Sequence, residues 1–453
     1  MQKRFVRLFG RRLAGTTALV ATLALSASAC SSSPEIVTVT TTLGQPLAPA
    51  SQVAAPDLPS AGSSSTAPAT AGTTNIATSS KATDPNNVRI TATPTFGTKN
   101  LGPNNPIKIT VFAATITNLT MTGNDSREVT GSLSSDKATW TTGQRLNYDT
   151  IYTVAGTALG SDGKQVNISG KFSTVKPKST LRASIQIPDG ATVGVGAPIT
   201  LTFSGVVKNR AAAEAALKVT TSAGAALKGN WGWLQDEQIQ KGGPVQSQVH
   251  WRPTASPVSG STTPYWPAFT TVHVDAKLDG VDYGNGAWGR KDFTSDFKTG
   301  RSQIVHADAS TFHLIVTEDD KVTKNWAVSY GKESVPGRAT VTGIHLVTEK
   351  FPEFAMCNPK FGYCNVKEKW AVRINNNGEF IHENLKALGA FGIKNVTHGC
   401  VNMNAGDAKA YYDSAIYGDP VELTNTGGPP MSEKDSLYDW IYTPAEWQAL
   451  SAL

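Results

Sequence analysis

Alternation of apolar and polar positions dominates the chain from Val88 onward. Ile107, Ile109 and Val111 share one parity, Tyr152 and Val154 repeat it, and Val166 and Ile168 follow the pair Asp162-Gly163. A period of two marks a strand with one buried face, and Asp-Gly between two such runs marks a hairpin turn. Residues 87–177 therefore read as one small β-sandwich. Residues 178–300 read as a second: Ile199, Leu201 and Phe203 alternate, as do Val272 and Val274, and Asp279-Gly280 supplies a turn. Trp231, Trp233, Trp251, Trp266 and Trp288 crowd this second block, where interstrand packing accounts for them and a glycan-stacking platform is the alternative.

The third block covers 301–426. Phe312, Leu314 and Val316 lie on one strand face, Glu318-Asp319-Asp320 turns the chain, and Val322 to Tyr330 returns. Val372 and Ile374 lie on another strand, closed by Asn375-Asn376-Asn377-Gly378, and Glu379-Phe380-Ile381 delivers His382 at its end. Asn404 predicts a helix N-cap with Asp407 at the third helical position. Ala408, Tyr411, Tyr412 and Ala415 form the apolar stripe, and Gly418 stops the helix. The extension 427–453 holds Thr443-Pro444-Ala445-Glu446, a capping-box start with Pro at the first helical position. Its Trp440, Ile441, Trp447 and Leu450 predict packing back onto the catalytic or preceding block; a partner-binding helix is the alternative.

The pattern before Val88 differs. Residues 30–86 are rich in Ser, Thr, Ala and Pro, a linker composition that buries too little apolar surface to offset ordering entropy. Residues 1–29 read as a signal peptide: a basic stretch ends at Arg12, an apolar core runs from Leu13 to Leu25, and Ala27-Ser28-Ala29 precedes Cys30. Small residues before a Cys resemble a lipobox, which makes Cys30 a lipidated first residue anchored to the membrane at the cell envelope, on the outer face of the plasma membrane. An ordinary cleaved signal with an incidental Cys30 is the alternative. The formal charge of +6 belongs to this leader: it holds five basic residues and no acid, so the rest carries 36 basic against 35 acidic residues. A nucleic-acid binder needs a basic face, and none is indicated.

Four cysteines follow different logics. Cys357 and Cys364 flank a Pro- and Gly-containing turn in an exported chain, which predicts a disulfide pinning a loop. Zinc binding or two free thiols are the rivals, but no CxxC pairing and no HExxH helix is present. Cys400 sits in Thr397-His398-Gly399-Cys400-Val401-Asn402, with His382 upstream. A thiol attacks carbonyls only as a thiolate, and a nearby imidazole can take its proton. Two imidazoles, a thiol and a Gly-containing turn thus predict Cys/His acyl transfer. His250, His273, His306, His313 and His345 lack motif partners and read as structural.

This constellation resembles the L,D-transpeptidase catalytic domain, also called the YkuD domain, across about 302–426. Pro336-Gly337, Gly343-Ile344-His345, Trp370 and Gly418-Asp419-Pro420-Val421-Glu422 are similar too. The layout resembles lipoprotein members with two N-terminal immunoglobulin-like modules, so the expected fold class is mainly β: two immunoglobulin-like sandwiches, a β-rich catalytic domain with a short helix after the catalytic loop, and a C-terminal helical extension. The resemblance implies cross-linking of peptidoglycan stem peptides during cell-wall biogenesis. Cys400 would form a thioester with a tetrapeptide donor, release D-alanine, and yield a 3→3 cross-link to an acceptor stem. Carbapenem β-lactams would acylate the same sulfur. No metal or organic cofactor is implied. An L,D-carboxypeptidase using the same Cys, or a non-catalytic peptidoglycan-binding scaffold, are the alternatives.

By the same resemblance His382 is the general base. The backbone carbonyl of Glu383 would orient its ring, and the Glu383 carboxylate would raise the His382 pKa. Amides of Gly399 and Cys400 would form the oxyanion hole. His398, Tyr363 and Met356 would shape the substrate pocket, Tyr363 as a lid. Asn402 would brace the loop through its side chain, and Thr397 would support it.

Overall fold

The computed structural model describes residues 88–255 and 264–453. The leader, the linker and Cys30 lie outside them.

The first module packs a four-stranded sheet against a three-stranded one. The latter is built from Ala114–Gly123, Ile151–Gly160 and Gln165–Ser173. The parity read from sequence sets its core: Ile107, Ile109, Val111, Tyr152, Val154 and Ile168 are all buried together. The second module has two four-stranded sheets and a three-stranded edge sheet. Its core buries Trp231, Trp233, Trp251 and Trp266, with the Trp251 and Trp266 rings 4.8 Å apart. Packing therefore explains these four indoles, whereas Trp288 is half-buried and meets Tyr148 of the first module edge-on at 6.0 Å.

The same core continues into the third block through Ile304 and Leu346 and into the extension through Trp440. The extension closes it. Thr443 caps the Pro444–Ala449 helix in a reciprocal capping box with Glu446, and that helix inserts Trp447 into the second module. Trp447 is fully buried, its Nε1 donates to Asn230 O at 3.1 Å, and Gly232 lies beneath its ring where any Cβ would collide. Arg252, also fully buried, lies under both Trp440 and Trp447 at 4.5 and 4.7 Å and donates to Tyr442 O.

The third block contains two sheets. One has five strands in the order Lys321–Ala327, His313–Glu318, Gln303–Asp308, Pro420–Thr424, Gly343–Leu346. The other runs Glu349–Asn358, Tyr363–Arg373, Phe380–Glu383, Val401–Met403. Between them lies a core of Val305, Leu314, Val316, Tyr330, Val372, Ile381, Val401 and Met403, covered at one end by the Ala405–Ser414 helix. Asn404 caps this helix by accepting from Asp407 N at 3.0 Å.

Three boundaries differ from the sequence reading. The helix ends at Ser414, before Gly418, because Ala415 already leaves helical backbone. The returning strand stops at Ala327, after which the chain bonds to the catalytic loop instead. The strand carrying His382 runs on to Glu383, since Val401–Met403 pairs alongside it.

Candidate active site

His382 and Cys400 reach one site through a parallel strand pair. In the register of that pair, Ile381 lies opposite Val401 and His382 opposite Asn402. Side chains two apart share a face, so Asn402 and Cys400 point the same way, and His382 joins them from the neighbouring strand. All three line a cavity of about 350 Å³, with Met356, Tyr363, Thr397 and His398. Sequence reasoning had named each of these.

The His382 ring has a defined tautomer. His382 Nδ1 donates to Glu383 O at 2.7 Å, leaving Nε2 as the lone-pair nitrogen. The ring is buried, and burial pushes its pKa down to about 4, only partly offset by the Glu383 carbonyl. The upward shift expected from the Glu383 carboxylate is thus overturned: burial lowers the ring, and what opposes it is the Glu383 backbone carbonyl rather than the carboxylate.

Cys400 retains some surface yet is densely surrounded by protein. Burial pushes its thiol up to about 12; the nearby carboxyls of Glu379 and Glu368 add to this, while the Phe380 amide and Arg373 oppose it. At rest the thiol donates to Gly378 O at 3.6 Å. At rest the pair is therefore neutral thiol and neutral imidazole.

The catalytic loop is held from behind. Arg338 donates to Thr397 O at 3.0 Å and Val396 O at 2.6 Å, and Thr340 Oγ1 donates to Gly399 O at 2.7 Å. Thr397 Oγ1 donates to Cys400 O and accepts from Gly399 N at 3.3 Å. The Gly399 amide thus rests on Thr397, and must turn from it to serve an oxyanion. Gly399 has φ +124°, a conformation open to glycine, and a Cβ there would press within 3.4 Å of Glu379 Oε1.

Asn402 braces the loop differently from expectation. Its backbone exchanges bonds with Ser329 at 2.9 and 3.1 Å, while its buried Oδ1 has no partner. The extended backbone at Asn402 is paired on both edges, so its side chain is left facing the cavity.

Cys357 and Cys364 form a disulfide across the end of the Glu349–Asn358/Tyr363–Arg373 hairpin. The hairpin tip overhangs the site: Phe361 and Tyr363 lie 5.1 and 5.2 Å from the His398 ring. Partial burial and Arg338 lower the His398 pKa. Among the described residues no cluster of His, Cys, Asp and Glu could hold a metal ion.

Sequence reasoning missed Arg338, Thr340, Glu379, Lys386 and Glu368. Glu368 and Lys386 line the cavity itself. Glu368 was legible in part: Val366, Glu368 and Trp370 alternate with Lys367 and Lys369, which places the carboxyl on the inner face. The five remaining histidines have local partners, such as Asp439 for His250 and Glu422 for His306, both through Nδ1.

Comparison with known proteins gives the family. The model of the L,D-transpeptidase catalytic domain (YkuD) matches residues 302–423, and that of a bacterial Ig domain matches 98–282. L,D-transpeptidase 5 of Mycobacterium tuberculosis (strain ATCC 25618 / H37Rv) is 40% identical over 365 residues, covering 81% of this chain and 77% of the relative. The chain belongs to the L,D-transpeptidase family. L,D-transpeptidase 2 of Mycobacterium tuberculosis (strain CDC 1551 / Oshkosh) is 30% identical, covering 80% of this chain and 85% of its own length. The solved structure of the LD transpeptidase LdtMt1 in complex with imipenem aligns at 26% identity with a TM-score of 0.43, covering 55% of this chain and 100% of that one. In this L,D-transpeptidase the motif residues and the matched catalytic domain coincide, and membership supports a general role in peptidoglycan cross-linking.

Proposed function

We propose that this chain is a peptidoglycan L,D-transpeptidase that forms 3→3 cross-links through a thioester on Cys400. The observation that carries the reading is the shared cavity: a tautomer-defined imidazole on one of two paired parallel strands and a thiol immediately before the other both line it.

Cys400 Sγ attacks the carbonyl of the third residue of a tetrapeptide donor while its proton passes to His382 Nε2. The developing oxyanion is met by the Cys400 amide, and by the Gly399 amide once it leaves Thr397. Collapse breaks the C–N bond, and the proton from Nε2 goes to the departing D-alanine amine. An acceptor stem's side-chain amine then attacks the thioester, gives its proton to Nε2, and displaces the thiolate, which recovers a proton from the ring. Tyr363, His398 and Met356 wall the donor site. Carbapenems acylate the same sulfur in this scheme. The signal sequence and Cys30 support an envelope location on the outer face of the plasma membrane, with the modules and linker as spacers.

Incubation with a disaccharide-tetrapeptide tests the reading. Dimer with loss of D-alanine is the expected product, abolished by Cys400→Ala. Tripeptide alone would make the chain an L,D-carboxypeptidase, and no turnover a scaffold.

A further inference from the structure

The acid–base scheme leaves one need unmet. When His382 takes the thiol proton it becomes an imidazolium in a buried position that disfavours charge, and a neutral carbonyl at Nδ1 offsets this only in part. The structure offers an anionic partner that the family signature does not include. Glu368 projects from the inner face of the Tyr363–Arg373 strand into the cavity, with only 14% of its side chain exposed. Its Oε2 lies 3.9 Å from His382 Nδ1, too far for a hydrogen bond and close enough for charge. Nδ1 is the ring edge away from the lone-pair nitrogen, so the carboxyl lies on the side of the ring opposite the nitrogen that takes the proton; its charge also reaches Cys400, where it ranks behind burial and Glu379 in holding the thiol proton.

We propose that Glu368 is a positioning residue for the reaction: its carboxylate stabilises the imidazolium that His382 becomes in each half-reaction. This rests on the cysteinyl acyl-transfer reading above. Glu368 takes no proton. The proton shuttles between sulfur, Nε2 and the substrate nitrogens, and the carboxylate acts through space on the ring.

The surroundings set when Glu368 is charged. Glu383, from the strand of the base, and burial both hold its proton on; Lys386, from the turn after that strand, opposes them. Cys400, Tyr363, His398 and the His382 ring itself complete the ionisable lining, while Lys367 on the same strand points outward to Glu353. Burial is the largest effect, and the carboxyl ionises at about 7. The sign follows. Below that pH Glu368 is neutral and gives the ring no help; above it the charge is present and acylation quickens.

Imipenem acylation of the full chain, followed by intact mass across pH, tests this without an acceptor. The wild-type rate is expected to rise through an inflection near pH 7. Glu368→Gln, which keeps shape and removes charge, is expected to acylate about tenfold or more slowly above about pH 8, to lose the inflection, and to match wild type near about pH 5.5. Glu368→Asp is expected to restore part of the alkaline limb. A Gln variant with the wild-type profile, or one slowed equally at every pH, would overturn the proposal. So would normal acylation with a defect confined to amine transfer, which would make Glu368 an acceptor-ammonium site. A wild-type chain inert to imipenem would sink the underlying acyl-transfer reading itself.

Discussion

His382 lies directly opposite Asn402 in a parallel strand pair, and Cys400 lies two residues before Asn402 on the same face. This register brings His382 and Cys400 to one cavity. Among the described residues the His382 ring hydrogen-bonds only to the neighbouring Glu383 O, so replacing the ring should spare the fold. His382→Asn should slow thioester formation by about 10²- to 10⁴-fold while leaving thermal unfolding nearly unchanged. Mass detection of the acyl-enzyme checks this.

The resting thiol should behave as a thiol. With Cys400 pushed up to about 12 and His382 down to about 4, no thiolate–imidazolium pair exists before substrate arrives. Iodoacetamide labelling of free enzyme should climb through about pH 10 without a plateau near neutrality. A plateau beginning below pH 7 would mean a preformed ion pair.

Arg338 grips both Val396 and Thr397 through their carbonyls. Arg338→Ala removes two charge-assisted bonds from the catalytic loop and should cost about 3 kcal/mol of stability with at least a tenfold loss of activity. Arg338→Lys, a single ammonium in place of a fork, should recover only part of each. Denaturant titration and turnover separate the two losses.

Glu379 is buried, accepts from Val341 N at 2.8 Å through Oε1, and leaves Oε2 without a partner. Burial raises its pKa from 4.5 to about 7. The folded state therefore holds the proton more tightly than the unfolded state does. That contribution is complete below 4.5 and is lost as pH rises through about 7. Relative to Glu379→Gln, the wild type should lose about 3 kcal/mol across this window. Urea titrations at both ends of the window measure it.

The disulfide holds the hairpin tip whose Phe361 and Tyr363 meet His398. A Cys357→Ser/Cys364→Ser variant should raise KM for the donor by about tenfold, with a smaller change in kcat and an intact fold. An unchanged KM would detach the tip from substrate binding.

Local pattern by itself determined much of this protein. Strand parity placed Ile109 and Val154 in a core, Asn404 and Thr443 announced their helices, and the run from Thr397 to Asn402 named the chemistry, because periodicity, caps and turns are properties of neighbouring residues. Tertiary structure decided what neighbours cannot encode. Parallel pairing of Phe380–Glu383 with Val401–Met403 set His382 beside the thiol, and a long hairpin carried Glu368 behind it. Removal of water then reversed the expected pKa of His382, and strand pairing on both edges left Asn402 Oδ1 without a partner where a brace was expected. Charge and desolvation depend on everything that surrounds a group, and most of what surrounds these groups is distant in the chain.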